Sequence, residues 1–173
     1  MSLMAKTLTV ILVVLIGALR AWAQGTQIVG VWELDQGRSN LPARAFPMGI
    51  KSEIRSYSLR KDGYLVALVL RVNGDGSPDF IQVAAKSDGK DYPQYQSGPL
   101  AELQIQGTPT RFTYSEKMTD GDVAEVVGKR DGQVINKGTR KISADGKTMT
   151  LNVAAILPDG QEIPIAFVFK KRE

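Results

Sequence analysis

The sequence predicts an all-β protein: an antiparallel up-and-down meander of about ten strands, closed into a barrel. Apolar or alternating segments run from Gln24 to the C terminus, and Gly-containing turns separate them at spacings of about 11 to 18 residues. Such spacing leaves no room for the crossover helices that parallel strands need, so consecutive strands pair antiparallel. An open meander exposes two edge strands, and closure into a barrel removes both edges.

Asp-Gly pairs mark most of the turns, because both residues tolerate the positive φ of tight hairpins. The predicted turns are Lys61-Asp62-Gly63, Asn73-Gly74-Asp75-Gly76, Asp88-Gly89, Gly107-Thr108-Pro109, Asp120-Gly121, Asp131-Gly132, Asp145-Gly146 and Asp159-Gly160. The predicted strands are 27–34, 52–60, 64–72, 79–87, 101–106, 110–118, 123–130, 133–142, 147–156 and 162–170. Two proline-containing stretches, 37–49 and 90–100, are predicted to be irregular.

Alternation with period two predicts which side chains face the barrel interior. On three strands the inward sets are Ile163, Ile165, Phe167 and Phe169; Met149, Leu151 and Val153; and Phe112, Tyr114, Glu116 and Met118. On strand 52–60, Tyr57 and Leu59 set the inward face. On strand 64–72 we place Arg71 outside, which puts Tyr64, Val66, Leu68 and Leu70 inside.

The composition restricts the chemistry available to the protein. The chain has no Cys and no His, so it lacks a thiolate nucleophile, a disulfide, the usual general base and the commonest zinc ligands. We therefore expect no cofactor, no metal site and no catalytic residue, although an enzyme using carboxylates, Lys, Tyr or Ser remains a third alternative. The formal net charge is +4, and two of the positive charges, Lys6 and Arg20, lie in residues 1–23, which contain no acid. The remaining balance of 20 basic and 18 acidic residues, or +2, does not favour a nucleic acid or an anionic membrane as partner.

Residues 1–23 have the pattern of a signal peptide. Lys6 precedes an apolar stretch from Thr7 to Leu19, and Ala21-Trp22-Ala23 supplies small residues before a cut ahead of Gln24. A retained anchor is the alternative, but the stretch is shorter than the roughly 20 residues of a spanning helix. We expect a single barrel domain at 24–173 that is exported to the periplasm or outside the cell, with no stable membrane anchor.

Gly30-Val31-Trp32, on the first predicted strand, resembles the Gly-x-Trp motif of the calycin superfamily, which includes lipocalins and fatty-acid-binding proteins. Ten strands are closer to the fatty-acid-binding group than to the eight-stranded lipocalins. The chain also resembles small secreted bacterial proteins of unassigned function. The resemblance implies that Trp32, with Gly30, is a structural plug at the narrow end of the barrel. A late basic residue, Lys170, Lys171 or Arg172, would lie beside it.

The candidate ligand-binding residues are Arg55, Tyr57, Phe112, Tyr114, Glu116 and Met149. Arg55 and Glu116 share the inward parity of their strands, and an enclosed charge needs a partner. One interpretation is an Arg55–Glu116 ion pair or exposure at the rim. The other is that one of these residues binds a polar head group, as Arg and Tyr do in the fatty-acid-binding barrels that the chain resembles.

Two other segments carry chemically suggestive side chains. Asn73, Asp75, Ser77 and Asp79 alternate as in a calcium loop, but Pro78 replaces the required Gly, so we predict a hairpin turn. Tyr92 and Tyr95 lie in a predicted loop, where they either pack on the barrel or contact a ligand.

The leading functional hypothesis is an exported lipocalin-like barrel that binds a small apolar or amphipathic molecule. The alternative is a non-catalytic module with a filled core that binds protein or polysaccharide through its outer surface. Interior volume separates the two, because a cavity of ~300 Å³ or more with a few convergent polar groups favours ligand binding. The oligomeric state is not evident from the sequence.

Overall fold

The computed structural model describes residues 27–97 and 110–173 and contains ten strands in these ranges. They are β1 (Gly30–Leu34), β2 (Ile50–Leu59), β3 (Leu65–Asn73), β4 (Pro78–Ala85), β5 (Tyr92–Ser97), β6 (Phe112–Asp120), β7 (Val123–Arg130), β8 (Gln133–Ile142), β9 (Thr148–Ile156) and β10 (Glu162–Lys171). Each strand pairs antiparallel with the next, and β1 pairs with β10, so the sheet closes. The predicted fold class is confirmed.

The Asp-Gly turns explain the meander. At the β7–β8 turn, Asp131 and Gly132 have φ of 52° and 78°, the conformation that a two-residue hairpin requires at both central positions. The other predicted Asp-Gly turns and the Asn73–Pro78 hairpin also separate consecutive strands. The predicted 101–106 strand and 107–109 turn lie outside the described residues.

The prediction that 90–100 is irregular is wrong over Tyr92–Ser97, which form β5. Tyr92, Gln94 and Gln96 face inward and alternate with the exposed Pro93, Tyr95 and Ser97. The inward positions include two glutamines, so the strand lacks the apolar alternation by which the other strands are predicted. Tyr92 and Tyr95 therefore lie on a strand and not in a loop.

The predicted facing of strand 64–72 is also wrong. Leu65, Ala67 and Val69 are buried, whereas Leu68 and Leu70 are exposed on the outer surface. Arg71 lies inside because an interior carboxylate, Glu53, pairs with it. Since the period is two, one charge placed on the wrong side inverts the whole strand. Leu59, predicted to face inward, is also exposed at the end of β2.

The segment between β1 and β2 contains a short 3-10 turn, Gln36–Arg38, and is otherwise irregular as predicted. It folds over one end of the barrel. Asn40 forms a β-bridge with Ala166, and the amide of Gly74 donates to the carbonyl of Met48. These contacts bring the Phe46 ring against Phe167 inside the barrel, with ring centroids 5.7 Å apart.

Candidate functional site

The barrel encloses a cavity of about 310 Å³. Inward side chains of β2 to β10 and the β1–β2 segment line it. Its apolar wall consists of Ala45, Phe46, Leu65, Ala67, Val69, Ile81, Val83, Ala85, Val126, Ile135, Leu151, Val153, Ala155, Ile165 and Phe167. Its polar wall consists of Arg55, Tyr57, Arg71, Gln94, Gln96, Tyr114, Glu116, Asn136 and Arg140. The charged groups belong to two clusters, one on β2 and β3 and one on β6 and β8.

The first cluster is a buried carboxylate between two guanidinium groups. Glu53 on β2 is directly opposite Arg71 on β3 and two residues before Arg55, so period two directs all three side chains inward. Arg55 Nε donates to Glu53 Oε1 at 2.7 Å, and Arg71 Nε donates to Oε2 at 2.7 Å. Glu53 is fully buried, whereas Arg55 and Arg71 line the cavity.

Aromatic rings hold the two arginines in place. The Arg55 guanidinium carbon is 4.7 Å from the centroid of Phe169, and that of Arg71 is 5.3 Å from the centroid of Phe46. A guanidinium at such distances gains cation–π attraction from the ring face. The rings and Glu53 together fix the positions of both side chains.

Glu53 and Arg55 stay ionised despite their burial. Burial alone would raise the pKa of Glu53, but Arg55 and Arg71 outweigh it and hold that pKa below its ordinary value of 4.5. Burial alone would likewise lower the pKa of Arg55, yet Glu53 and Tyr57 raise it. Two positive charges therefore face one negative charge. Among the described residues, the terminal nitrogens of Arg71 have no hydrogen-bond partner.

The second cluster is an Arg140–Glu116 pair. Arg140 Nη1 and Nη2 donate to the two Glu116 oxygens, each at 2.8 Å, and both side chains are buried. Tyr114 donates its hydroxyl to Oε2 at 2.8 Å, and Ser87 donates to Oε1 at 2.7 Å. Burial and then the neighbouring Glu116 charge raise the pKa of Tyr114 well above 10.0, so its hydroxyl stays protonated. This cluster is electrically balanced.

One donor of the second cluster remains unpaired. Arg140 Nε is buried and has no hydrogen-bond partner among the described residues. Arg140 and Glu116 separate the main cavity from a smaller one of about 70 Å³.

Toward the end of the barrel opposite Phe46, Trp32 lies in a tightly packed group of side chains. The Trp32 indole is fully buried and donates to the carbonyl of Ile28 at 2.8 Å. The Lys171 ammonium lies 5.2 Å from the ring centroid and donates to the carbonyl of Gln27 at 2.9 Å. Phe169 and Met149 are fully buried in the same core. Of the three basic residues considered from the sequence, Lys171 is the one beside Trp32.

Comparison with known proteins finds the same architecture elsewhere. A crystal structure of a mutant of the fluorescent protein UnaG matches with a TM-score of 0.50, covering 84% of this chain and 96% of that one at 11% sequence identity. In its fold, the protein is a calycin-like barrel. At this identity the match shows the fold alone. No protein-family model and no curated protein matches the sequence.

The calycin-like barrel brings together four of the six predicted ligand-binding residues. Arg55, Tyr57, Tyr114 and Glu116 line the cavity. Phe112 does not: it is buried near Arg130, whose guanidinium carbon is 5.7 Å from the ring centroid. Met149 packs in the core around Trp32 instead. A role in ligand binding stays a prediction for all of these residues, as does the plug role of Gly30 and Trp32.

The predicted Arg55–Glu116 ion pair is wrong, because each residue has a different partner. Arg55 pairs with Glu53, and Glu116 pairs with Arg140. The sequence reasoning missed Glu53, Arg71 and Arg140. The inward facing of Glu53 could have been predicted, because Glu53 has the same parity on its strand as Arg55 and Tyr57. Arg71 and Arg140 were harder to find, because their burial depends on carboxylates from other strands.

Two classes of feature are not found in the described ranges. None of the helices there has the length and apolar character of a membrane-crossing segment. Residues 27–97 and 110–173 also contain no group of three or more His, Cys, Asp or Glu side chains arranged to hold a metal ion.

Proposed function

We propose that this calycin-like barrel is an exported binding protein for a small amphipathic molecule with an anionic head group. The observation that carries the proposal is the composition of the cavity wall. It is largely apolar and holds three arginines, Arg55, Arg71 and Arg140, against one carboxylate, Glu116, while Glu53 is buried behind Arg55 and Arg71. A volume of about 310 Å³ lies at the low end of the range for small-molecule sites. We therefore expect a small ligand. The alternative, a module with a filled core, does not account for a cavity of this volume.

Arg71 is the best-placed anchor for the head group. Its Nε is engaged by Glu53, which fixes the plane of the guanidinium, and its terminal nitrogens have no described partner. A carboxylate placed there would complete the charge balance of Glu53, Arg55 and Arg71. Charge-assisted hydrogen bonds of this kind contribute about 1.5–3 kcal/mol each.

The apolar wall would hold the rest of the ligand. Aliphatic side chains of β3, β4, β9 and β10 face one another across the cavity, and Phe46 covers one end. Each Å² of apolar ligand surface that leaves water contributes about 25 cal/mol. The tail therefore supplies most of the affinity, and the arginine decides between anionic and neutral head groups.

A paired titration tests this proposal. The protein spanning 24–173 is titrated with a dansyl-labelled fatty acid and with its methyl ester. We expect saturable micromolar binding of both, and the Arg71→Leu variant should weaken the acid roughly 10- to 100-fold while leaving the ester unchanged. Arg60→Leu is the control, because Arg60 forms an exposed ion pair with Asp62 outside the cavity.

Two results would overturn the binding proposal. One is the absence of saturable binding of either probe. The other is an equal loss of affinity for acid and ester in Arg71→Leu, because an anchor for a charged head group cannot act on a neutral one.

Export is the second part of the proposal, and it depends on the sequence of residues 1–23, which lie outside the described ranges. The protein isolated from its own host should begin at Gln24 or within a couple of residues of it. N-terminal sequencing of that material measures this directly. Exported protein that retains Met1 would contradict the signal-peptide interpretation.

A further inference from the structure

The outer surface of β2 to β5 carries large apolar side chains that no described residue covers. The exposed fractions are 50% for Leu68, 38% for Leu70, 52% for Phe80 and 49% for Tyr95. Strand register places them side by side: Leu70 is opposite Phe80, and Gln82 links Leu68 to Tyr95. Ile54 on β2 is opposite Leu70 and belongs to the same surface. We call the surface formed by Ile54, Leu68, Leu70, Phe80 and Tyr95 the apolar face.

The apolar face is also uncharged. None of the outward side chains of β3, β4 and β5 is charged, and the same holds for β2 from Ser52 to its end. The outward side chains of β6, β7 and β8 include Lys117, Glu125, Lys137 and Lys141. Charge is thus absent from one side of the barrel, although 23% of the residues in the chain are charged. A contiguous apolar surface of this kind marks an interaction site more often than chance exposure.

The face contains a shallow groove with exposed aromatic rings in its wall. A shallow groove of about 620 Å³ runs over it, lined by Ile54, Leu68, Leu70, Phe80 and Tyr95 among others. Phe80 is the most exposed of these rings. A surface whose apolar groove is lined by exposed rings is able to pair with a copy of itself across a two-fold axis, ring against groove on both sides.

We propose that the apolar face is the interface of a homodimer of this protein. A partner selected by charge would find nothing to pair with here, and an anionic membrane would find no basic residue on the face. Two copies of a positively charged chain approach each other with least repulsion through their uncharged sides. The second copy also presents the same apolar area, so every exposed ring gains an apolar neighbour.

The area of the face sets the strength of the dimer. Four strands about 4.8 Å apart, each contributing roughly 20 Å of length, give on the order of 400 Å² per copy. The total of roughly 800 Å² lies below the standard size of stable interfaces, which is the range of weak, reversible complexes. We therefore expect a dissociation constant on the order of micromolar, with monomer at high dilution.

Sedimentation velocity over a concentration series tests the proposal. Wild-type protein should shift from monomer to dimer across the micromolar range. Phe80→Lys and, separately, Tyr95→Lys should raise the dissociation constant of the dimer by at least about tenfold. Each copy of the variant places one lysine in the interface, so that two charges are buried there. Val134→Lys is the matched control: Val134 is 37% exposed on β8, outside the apolar face. Circular dichroism melts establish that each variant is folded.

Three outcomes would overturn the proposal. The first is a monomer at hundreds of micromolar, and the second is a dimer that Phe80→Lys and Tyr95→Lys leave unchanged. The third is a monomer that co-sediments with neutral phosphatidylcholine vesicles and is released by Phe80→Lys, which would assign the face to a lipid surface. Fatty-acid binding by the cavity is measured separately, so failure of the dimer leaves the binding proposal standing.

Discussion

At the start of β1, Gly30 and Trp32 pack against Lys171 of β10. Gly30 has a φ of 134°, in the region that favours glycine, and a Cβ there would lie 2.7 Å from Cε of Lys171. The missing side chain lets the Lys171 stem pass over the strand, so that its ammonium reaches the Trp32 ring. The Gly-x-Trp spacing thus has a local physical reason in this chain, independent of any resemblance.

Replacing Trp32 by Ala should destabilise the protein by about 3–5 kcal/mol, because the change removes a fully buried indole and leaves a cavity. Urea denaturation followed by circular dichroism measures the loss, and Trp32→Phe should lose less because most of the ring volume remains. A loss below about 1 kcal/mol for Trp32→Ala would mean that this end of the barrel does not depend on the indole.

The buried Glu53 of β2, paired with Arg71 of β3, makes the free energy of unfolding depend on pH. The pKa of Glu53 lies below 4.5 in the folded barrel, whereas the unfolded chain titrates near that ordinary value. As the pH falls, the unfolded state therefore takes up this proton first. The stabilisation from Glu53 is complete above about pH 5 and is lost as the pH drops through the folded-state pKa.

Glu53→Gln should remove that contribution. At neutral pH we expect a loss of about 3 kcal/mol, because two cavity-lining guanidinium groups lose their carboxylate. The free energy of unfolding should then fall less steeply between pH 5 and 3 than in the wild type. Urea titrations at several pH values measure this, with the exposed Glu125→Gln as control. An acid profile of Glu53→Gln identical to that of the wild type would contradict the account.

Strands and turns follow from the sequence wherever local chemistry determines them. The turn at Asp131-Gly132 needs positive φ twice, and on β10 the predicted inward residues Ile163, Ile165, Phe167 and Phe169 are all buried. Strand β5 escapes prediction because Pro93 and glutamines conceal its pairing. The facing of β3 escapes because Arg71 is satisfied by a residue 18 positions away, a contact that only the closed sheet creates.

For the whole molecule, closure of the barrel makes the candidate site. Tyr57 on β2 and Tyr114 on β6 belong to opposite walls, and only the closed sheet brings both to one cavity. Period-two parity predicts that these side chains point inward. It does not predict which arginine pairs with which carboxylate, since the pairing depends on register and on three-dimensional distances. Consequently the inward facing of Tyr57 and Tyr114 was predictable, whereas the facing of β3 and the surplus charge at Arg71 were not.

The central claim is that Arg71 holds the anionic head of a ligand inside the barrel, and one nuclear magnetic resonance titration tests it most directly. A fatty acid isotope-labelled at its carboxyl carbon is mixed with the protein, and the bound carboxyl resonance is followed as the pH is lowered. We predict a separate bound resonance whose pKa lies well below that of the free acid, because the guanidinium stabilises the carboxylate. In Arg71→Leu this pKa should return toward the free value. A bound carboxyl that titrates like the free acid in the wild type, or no bound resonance at all, would contradict the claim.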